Sequence, residues 1–279
     1  MAHPPLTDRP ALLRARARAL RSPEPALFLQ DEAVAEVQER LELVNRAFTS
    51  ASVVTGFPAL WQTALPQARV VEDAEVLDLA PATQDLVVHA LALHWADDPL
   101  GQIIQCRRAL RPDGLFIGLM FGGRTLHELR SALAEAEAEV SGGLSPRVVP
   151  MGDIRDLGAL VQRAGLALPV ADSFTRIVQY RDLFHLAADL RAMGETNALA
   201  ARLRRPTRRA VFLRAAEILA RSFPAEGGRI TATFEIVCLT GWAPHESQQQ
   251  PLRPGSAAQR LADALNVTER PLPTSSQDG

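Results

Sequence analysis

The 279-residue chain contains no lysine; all 30 of its basic residues are arginine. A phosphate-binding Walker-A loop needs a lysine on its phosphates and Schiff-base chemistry needs a lysine amine, so both are excluded. Cysteine is scarce: Cys106 and Cys238 stand far apart with no Cys-x-x-Cys pair, which reads as two reduced core thiols. Aromatic residues make up 5% of the chain, with one tyrosine, too few to interleave with a basic surface for base stacking. A net charge of −2 offers no general attraction to nucleic acid or an anionic membrane. No uncharged apolar run approaches the ~20 residues of a membrane span. The six histidines are scattered, with neither a His-Glu-x-x-His pair nor a Gly-x-Ser-x-Gly elbow, so no metal ligand set and no serine hydrolase is expected. Residues 1–10 lack the apolar core of a signal peptide. The arginines that follow (Arg14, Arg16, Arg18, Arg21) alternate with alanine like a surface helix rather than an organellar leader, so the cytoplasm is the expected compartment.

What is present is organised around Asp85 to Gly123. An apolar run from Leu86 to Leu93 reads as a strand ending at His94-Trp95. Asp98-Pro99 is a helix start, because a carboxylate caps free amides and proline lacks the amide that would go unpaired. Leu100, Ile103, Ile104 and Leu110 share one helical face. Arg111 to Gly114 reads as a turn, and Leu115 to Phe121 as a second apolar strand. Strands apolar on both faces and joined through a helix imply a parallel sheet covered on both sides, with ligands near its carboxyl ends. The expectation is an α/β fold with a doubly wound, mostly parallel sheet.

Elsewhere the spacing predicts helices over 11–20, 28–48, 61–65, 126–140, 153–164, 183–193 and 207–223. Strands are predicted at 52–56, 69–71, 174–180 and 229–240. Thr125 and Glu128 match a capping box. A short helix over 257–265 is expected in a tail rich in Gln, Pro and Ser. The expected organisation is a helical extension over 1–50, an α/β domain over 51–243 and a partly disordered tail over 244–279. The arginines at 202, 204, 205, 208 and 209 read as a solvated face, with an acidic partner or a carboxylate substrate as the alternative.

Several blocks carry a family resemblance. Asp85-Leu86-Val87-Val88, Leu93-His94-Trp95 and Arg107 to Gly114 resemble the fourth-to-fifth-strand region of class I S-adenosylmethionine-dependent methyltransferases. Gly122 to Arg130, Ser145-Pro146-Arg147, Met193 to Leu199 and Gly241 to Gln248 are similar to the branch of the malonyl-carrier-protein methyltransferases, and more closely to the complex I assembly factor 5 group. The resemblance covers about residues 6 to 258. It implies a Rossmann-like domain with amino-terminal helices and a helical insertion before the last strand. It also implies S-adenosylmethionine as cofactor and a respiratory complex I subunit as partner.

The cofactor residues implied by the resemblance are incomplete. Thr55 and Gly56 stand where the first strand should open into a glycine-rich loop, but one glycine survives, no acid precedes it, and Phe57-Pro58 follows. Asp73 matches the acid facing the adenine amine, or is a solvated loop acid, and the strand with the family's ribose-binding acid is expected to be missing before it. Trp95 is placed at the cofactor pocket or packed on the next helix. His94 is a general base, a substrate contact or polar rim; His89 reads as a core histidine. Three functions follow: methyl transfer with weakened or lost cofactor binding, hydroxylation or chaperoning of a complex I subunit, and a non-catalytic scaffold.

Overall fold

Two neighbouring strands carry the architecture. In the computed structural model, which describes residues 4–248, β3 (Gln84–Ala90) runs parallel to β4 (Leu110–Phe121), with Val87 opposite Phe116. Between them a single turn at Leu93–Trp95 precedes the crossover helix that joins the two strands, Pro99–Ala109. That helix starts where the capping signal places it: Asp98 accepts from the Gly101 amide at 2.8 Å.

Outside this pair lie β1 (Ala51–Thr55) and β2 (Arg69–Glu72), both parallel to it, so that the sheet runs β2-β1-β3-β4. On the other side β7 (Arg229–Trp242) pairs antiparallel with β4, and β5 (Ala167–Tyr180) pairs antiparallel with β7. A two-residue β6 (Pro224–Ala225) completes seven strands. The sheet is therefore mixed: parallel in the half that matches the central unit, antiparallel beyond it. Side chains alternate between two apolar layers. Val53, Val88 and Ile117 face one layer, Val54, Val87 and Phe116 the other.

In chain order the helices are α1 (Arg9–Leu20), α2 (Phe28–Val44), α3 (Pro58–Ala64), α4 (Pro99–Ala109), α5 (His127–Ser141), α6 (Ile154–Arg163), α7 (Leu183–Ala192) and α8 (Arg209–Ser222). The last two form the expected insertion before β7. Described residues up to His245 make one compact unit that includes α1 and α2.

Four local expectations change. The second helix stops at Val44, where Asn45 takes a left-handed conformation (φ 49°), rather than at Phe48. The turn at Arg111–Gly114 lies within β4, with Asp113 at φ 62°. The capping box does not form: Thr125 Oγ1 donates to the Glu235 carbonyl at 3.0 Å, and the Glu128 carboxylate accepts from the Thr233 amide at 3.2 Å. Both groups tie α5 to β7, a tertiary demand stronger than the local motif. The strand ending at Asp73 sits directly beside β1, with Val53 opposite Val70, in the place a second strand takes in a doubly wound sheet. The helix expected over 257–265 lies outside the described residues.

Candidate functional site

The carboxyl ends of β1, β2 and β3 converge on one buried polar cluster. β1 ends in Thr55 and Gly56, and Thr55 Oγ1 accepts from the Phe57 amide at 3.0 Å. Pro58 then starts α3 at once, so the segment after the first strand is one tight step into a helix, with Phe57 buried beneath it. β2 delivers Asp73, which is 6% exposed. Its carboxylate receives both terminal nitrogens of Arg9, at 3.1 and 2.7 Å, and Nη1 of Arg16 at 2.7 Å. Burial alone would raise the Asp73 pKa; the two guanidinium groups outweigh it and hold the carboxyl below its ordinary value.

Arg16 comes from α1, which sequence pattern places on the surface. Its side chain is 3% exposed, and Nε and Nη2 have no hydrogen-bond partner. The guanidinium lies across Gly56: a Cβ on that glycine would stand 2.3 to 2.8 Å from its atoms. Glycine here allows the chain's own arginine to approach the backbone. Two further contacts fasten the start of α1. The Thr7 hydroxyl donates to the Trp95 carbonyl at 2.7 Å, and Asp8 accepts ion pairs from Arg202 and Arg204 at 2.9 and 2.8 Å. Two members of the arginine cluster read as a solvated face thus serve as an anchor.

β3 ends in the turn that carries His94 and Trp95, both buried. Their partner is Glu195, placed by the turn after α7, where Gly194 has φ +79°. Trp95 Nε1 donates to Glu195 Oε2 at 2.7 Å, and His94 Nε2 lies 3.4 Å from the same oxygen. Burial would raise the Glu195 pKa, but His94, Arg16 and Trp95 together hold it below the usual range. Glu195 Oε1 and His94 Nδ1 are buried without a hydrogen-bond partner.

Trp95 divides two cavities. One, of about 300 Å³, is polar and has Asp73, Glu75, His89, Asp97 and Gln102 in its wall. The other, of about 320 Å³, is apolar, walled by Phe121, Leu129, Met151, Phe212 and Phe234, with His94 and Glu195 at its polar edge. His89 is a core histidine, as its sequence setting suggests. Gln102 donates through Nε2 to the carbonyls of Ala74 and Glu75, so its Oε1 accepts from His89 Nε2 at 3.2 Å.

Burial pushes the His89 imidazole down from 6.5 to about 4, against the opposing hydrogen bond to Gln102. The unfolded chain takes up this proton near pH 6.5, the folded one near pH 4. Stability tied to neutral His89 is therefore fully present above 6.5 and drains as pH falls from 6.5 to 4. At ~1.4 kcal/mol per tenfold, urea unfolding should show a loss of about 2 to 3 kcal/mol between pH 7 and 4.5. His89→Gln should flatten that window; an unchanged slope would remove His89 as its source.

Of the residues expected at the site, Thr55, Gly56 and Asp73 lie together under Arg16, while His94 and Trp95 lie together on Glu195. Arg9, Arg16 and Glu195 were missed. The Met193–Leu199 block was the signal for Glu195; nothing local distinguishes Arg16 from its exposed neighbours Arg14 and Arg18.

The fit to S-adenosylmethionine is decided by these contacts. The place assigned to its methionine end, over Gly56, is filled by the Arg16 guanidinium, and both oxygens of Asp73 are taken by arginine. Thr55 Oγ1 is turned to its own loop. The residues present do not fit the cofactor in this arrangement.

Comparison with known proteins gives the family. Residues 35–118 match a methyltransferase-domain family. The mouse protein "Arginine-hydroxylase NDUFAF5, mitochondrial" is 40% identical over 231 residues, covering 82% of this chain and 66% of that protein. The zebrafish (Danio rerio) counterpart is 36% identical over 229 residues, covering 81% and 70%. A malonyl-[acyl-carrier protein] O-methyltransferase of Laribacter hongkongensis is 33% identical over 188 residues, covering 67% and 61%. The chain spans 60% of the rat (Rattus norvegicus) counterpart and 66% of the mouse one, under two thirds of their length. With a Rossmann-like sheet, a methyltransferase domain and this level of identity, the chain belongs to the NDUFAF5 family of methyltransferase-like proteins.

Proposed function

We propose that this chain is an assembly protein that receives an arginine-bearing segment of a respiratory complex I subunit in the apolar cavity beside His94, Trp95 and Glu195, and that it does not use S-adenosylmethionine as a methyl donor. The observation that carries the reading is the cavity of about 320 Å³ whose polar edge holds a buried carboxylate kept ionised by its neighbours. A guanidinium on an aliphatic stem matches apolar walls with one anionic end. The relatives' name, arginine-hydroxylase, supports this choice of side chain, and hydroxylation would place the same group in the same cavity. His94 then acts as a substrate contact rather than a methyl-transfer base. The free, buried state of Cys106 and Cys238 supports a reducing compartment such as the cytoplasm. Among the described residues no helix is long and apolar enough to cross a membrane.

The test is recovery of a complex I subunit by the tagged chain, repeated with Glu195→Gln. Losing the anionic end should weaken capture on the order of 30-fold or more. Recovery of no such subunit, or capture indifferent to the substitution, would overturn the assignment.

A further inference from the structure

We infer that the cleft between the end of α5 and the start of α8 binds an acidic segment of a protein partner. This surface lies outside the apolar cavity, and its role does not depend on what that cavity holds. The cleft, of about 240 Å³, is lined among others by Glu137, Leu144, Ser145, Arg205, Thr207 and Arg208. Its carboxylate is already committed: Glu137 accepts from Arg147 Nη2 at 2.6 Å and from the Ser145 hydroxyl at 2.7 Å. Arg147 also walls the apolar cavity and donates to Thr207 Oγ1 at 2.7 Å, so the cleft and the cavity share a wall. Arg205, Arg208 and Arg209 are exposed, and their side chains make no ion pair or hydrogen bond among the described residues. The arginines around them do: Arg202 and Arg204 hold Asp8, Arg214 holds Glu139 and Arg221 holds Glu135.

The position of these three adds to the charge excess. Arg208 precedes α8 and Arg209 is its first residue, so both stand at the positive end of the helix dipole, where cations are disfavoured. The first turn holds no acid. By contrast, Arg18 and Arg191 occupy the last turns of α1 and α7, where a cation is stabilising. Like charges gathered at the unfavourable end of a helix cost stability, and no internal carboxylate offsets them. An external carboxylate would supply the missing charge through paired guanidinium contacts. A peptide suits the place better than a small ion. Leu144, 72% exposed, offers an apolar contact beside the arginines. A Cβ at Gly142 or Gly143 would meet nothing within 4 Å, so the backbone there is open to a neighbouring chain.

The experiment is fluorescence anisotropy of the full chain with labelled hexaglutamate and, for comparison, hexaglutamine, in dilute salt where surface charge is weakly screened. The proteins compared are the wild type, the triple variant Arg205→Gln/Arg208→Gln/Arg209→Gln and the charge-matched triple Arg14→Gln/Arg18→Gln/Arg21→Gln. The expected result is hexaglutamate binding that the first triple weakens on the order of 30-fold and the second by less than about threefold, the sum of three exposed pairs against a change in net charge alone. The melting temperature of the first triple should be unchanged or raised, because repulsion at the start of α8 is relieved. No binding to the wild type at millimolar peptide, or hexaglutamine binding as tightly, would overturn the inference. Equal losses in both triples would reduce it to general charge attraction and overturn it too. Displacement by inorganic phosphate as effective as by unlabelled hexaglutamate would overturn the choice of a protein segment. A lowered melting temperature would show that the arginines serve the fold, with the same consequence. Should the first triple not fold, hydrogen exchange of the wild type decides. Slowed exchange over 203–212 with hexaglutamate supports the cleft, and unchanged exchange overturns it.

Discussion

Asp73→Asn is expected to lower the unfolding free energy by about 3 to 5 kcal/mol, the cost of leaving a buried guanidinium without its counter-charge. Arg16 cannot turn to solvent for compensation: its side chain is 3% exposed and two of its nitrogens already lack partners. The asparagine is nearly isosteric, so the loss reports charge rather than shape. Urea unfolding at pH 7 gives the value, and adding Arg16→Met to Asp73→Asn should restore much of it through coupling between the two sites. A loss below ~1 kcal/mol, or simple additivity of the two changes, would mean that the ion pair does not hold α1 in place. The substitution also bears on the candidate site, because this carboxylate joins α1 to the carboxyl ends of β1 and β2.

Phe116→Ala should destabilise the chain by a similar amount, about 3 to 5 kcal/mol, for a different reason. Phe116 is fully buried in β4 opposite Val87, and its ring covers the space above Gly118, where a Cβ would meet Cζ at 2.8 Å. Truncation leaves a void that parallel strands, held in register by their neighbours, cannot collapse to fill. Denaturant unfolding measures it, with an unchanged m-value as the sign that the fold is otherwise kept. A cost near 1 kcal/mol would show that the centre of the sheet repacks, against the tightly interlocked layers described above.

The central β3-α4-β4 unit was legible in the sequence because its signals are local. A capping carboxylate, a proline at the first helical position, a helical stripe and two apolar runs each lie within a few residues of what they specify. The same locality misled at Thr125 and Glu128, where a capping pattern is present but β7, about 105 residues away in sequence, captures both side chains. The depleted loop at Thr55-Gly56 was visible as missing glycines; what fills the space was not.

Sequence alone thus determined the α/β kind of sheet, its central pairing, the family resemblance and the single glycine left after the first strand, since these follow from pattern and composition. Only the tertiary structure decided that β2 lies against β1, that Glu195 joins His94 and Trp95, and that Arg16 is the arginine in α1 that goes inside. The physical reason is that burying a charge depends on a counter-charge at the right distance, and Asp73 is 57 residues away along the chain. No local preference distinguishes an arginine that faces water from one that finds such a partner.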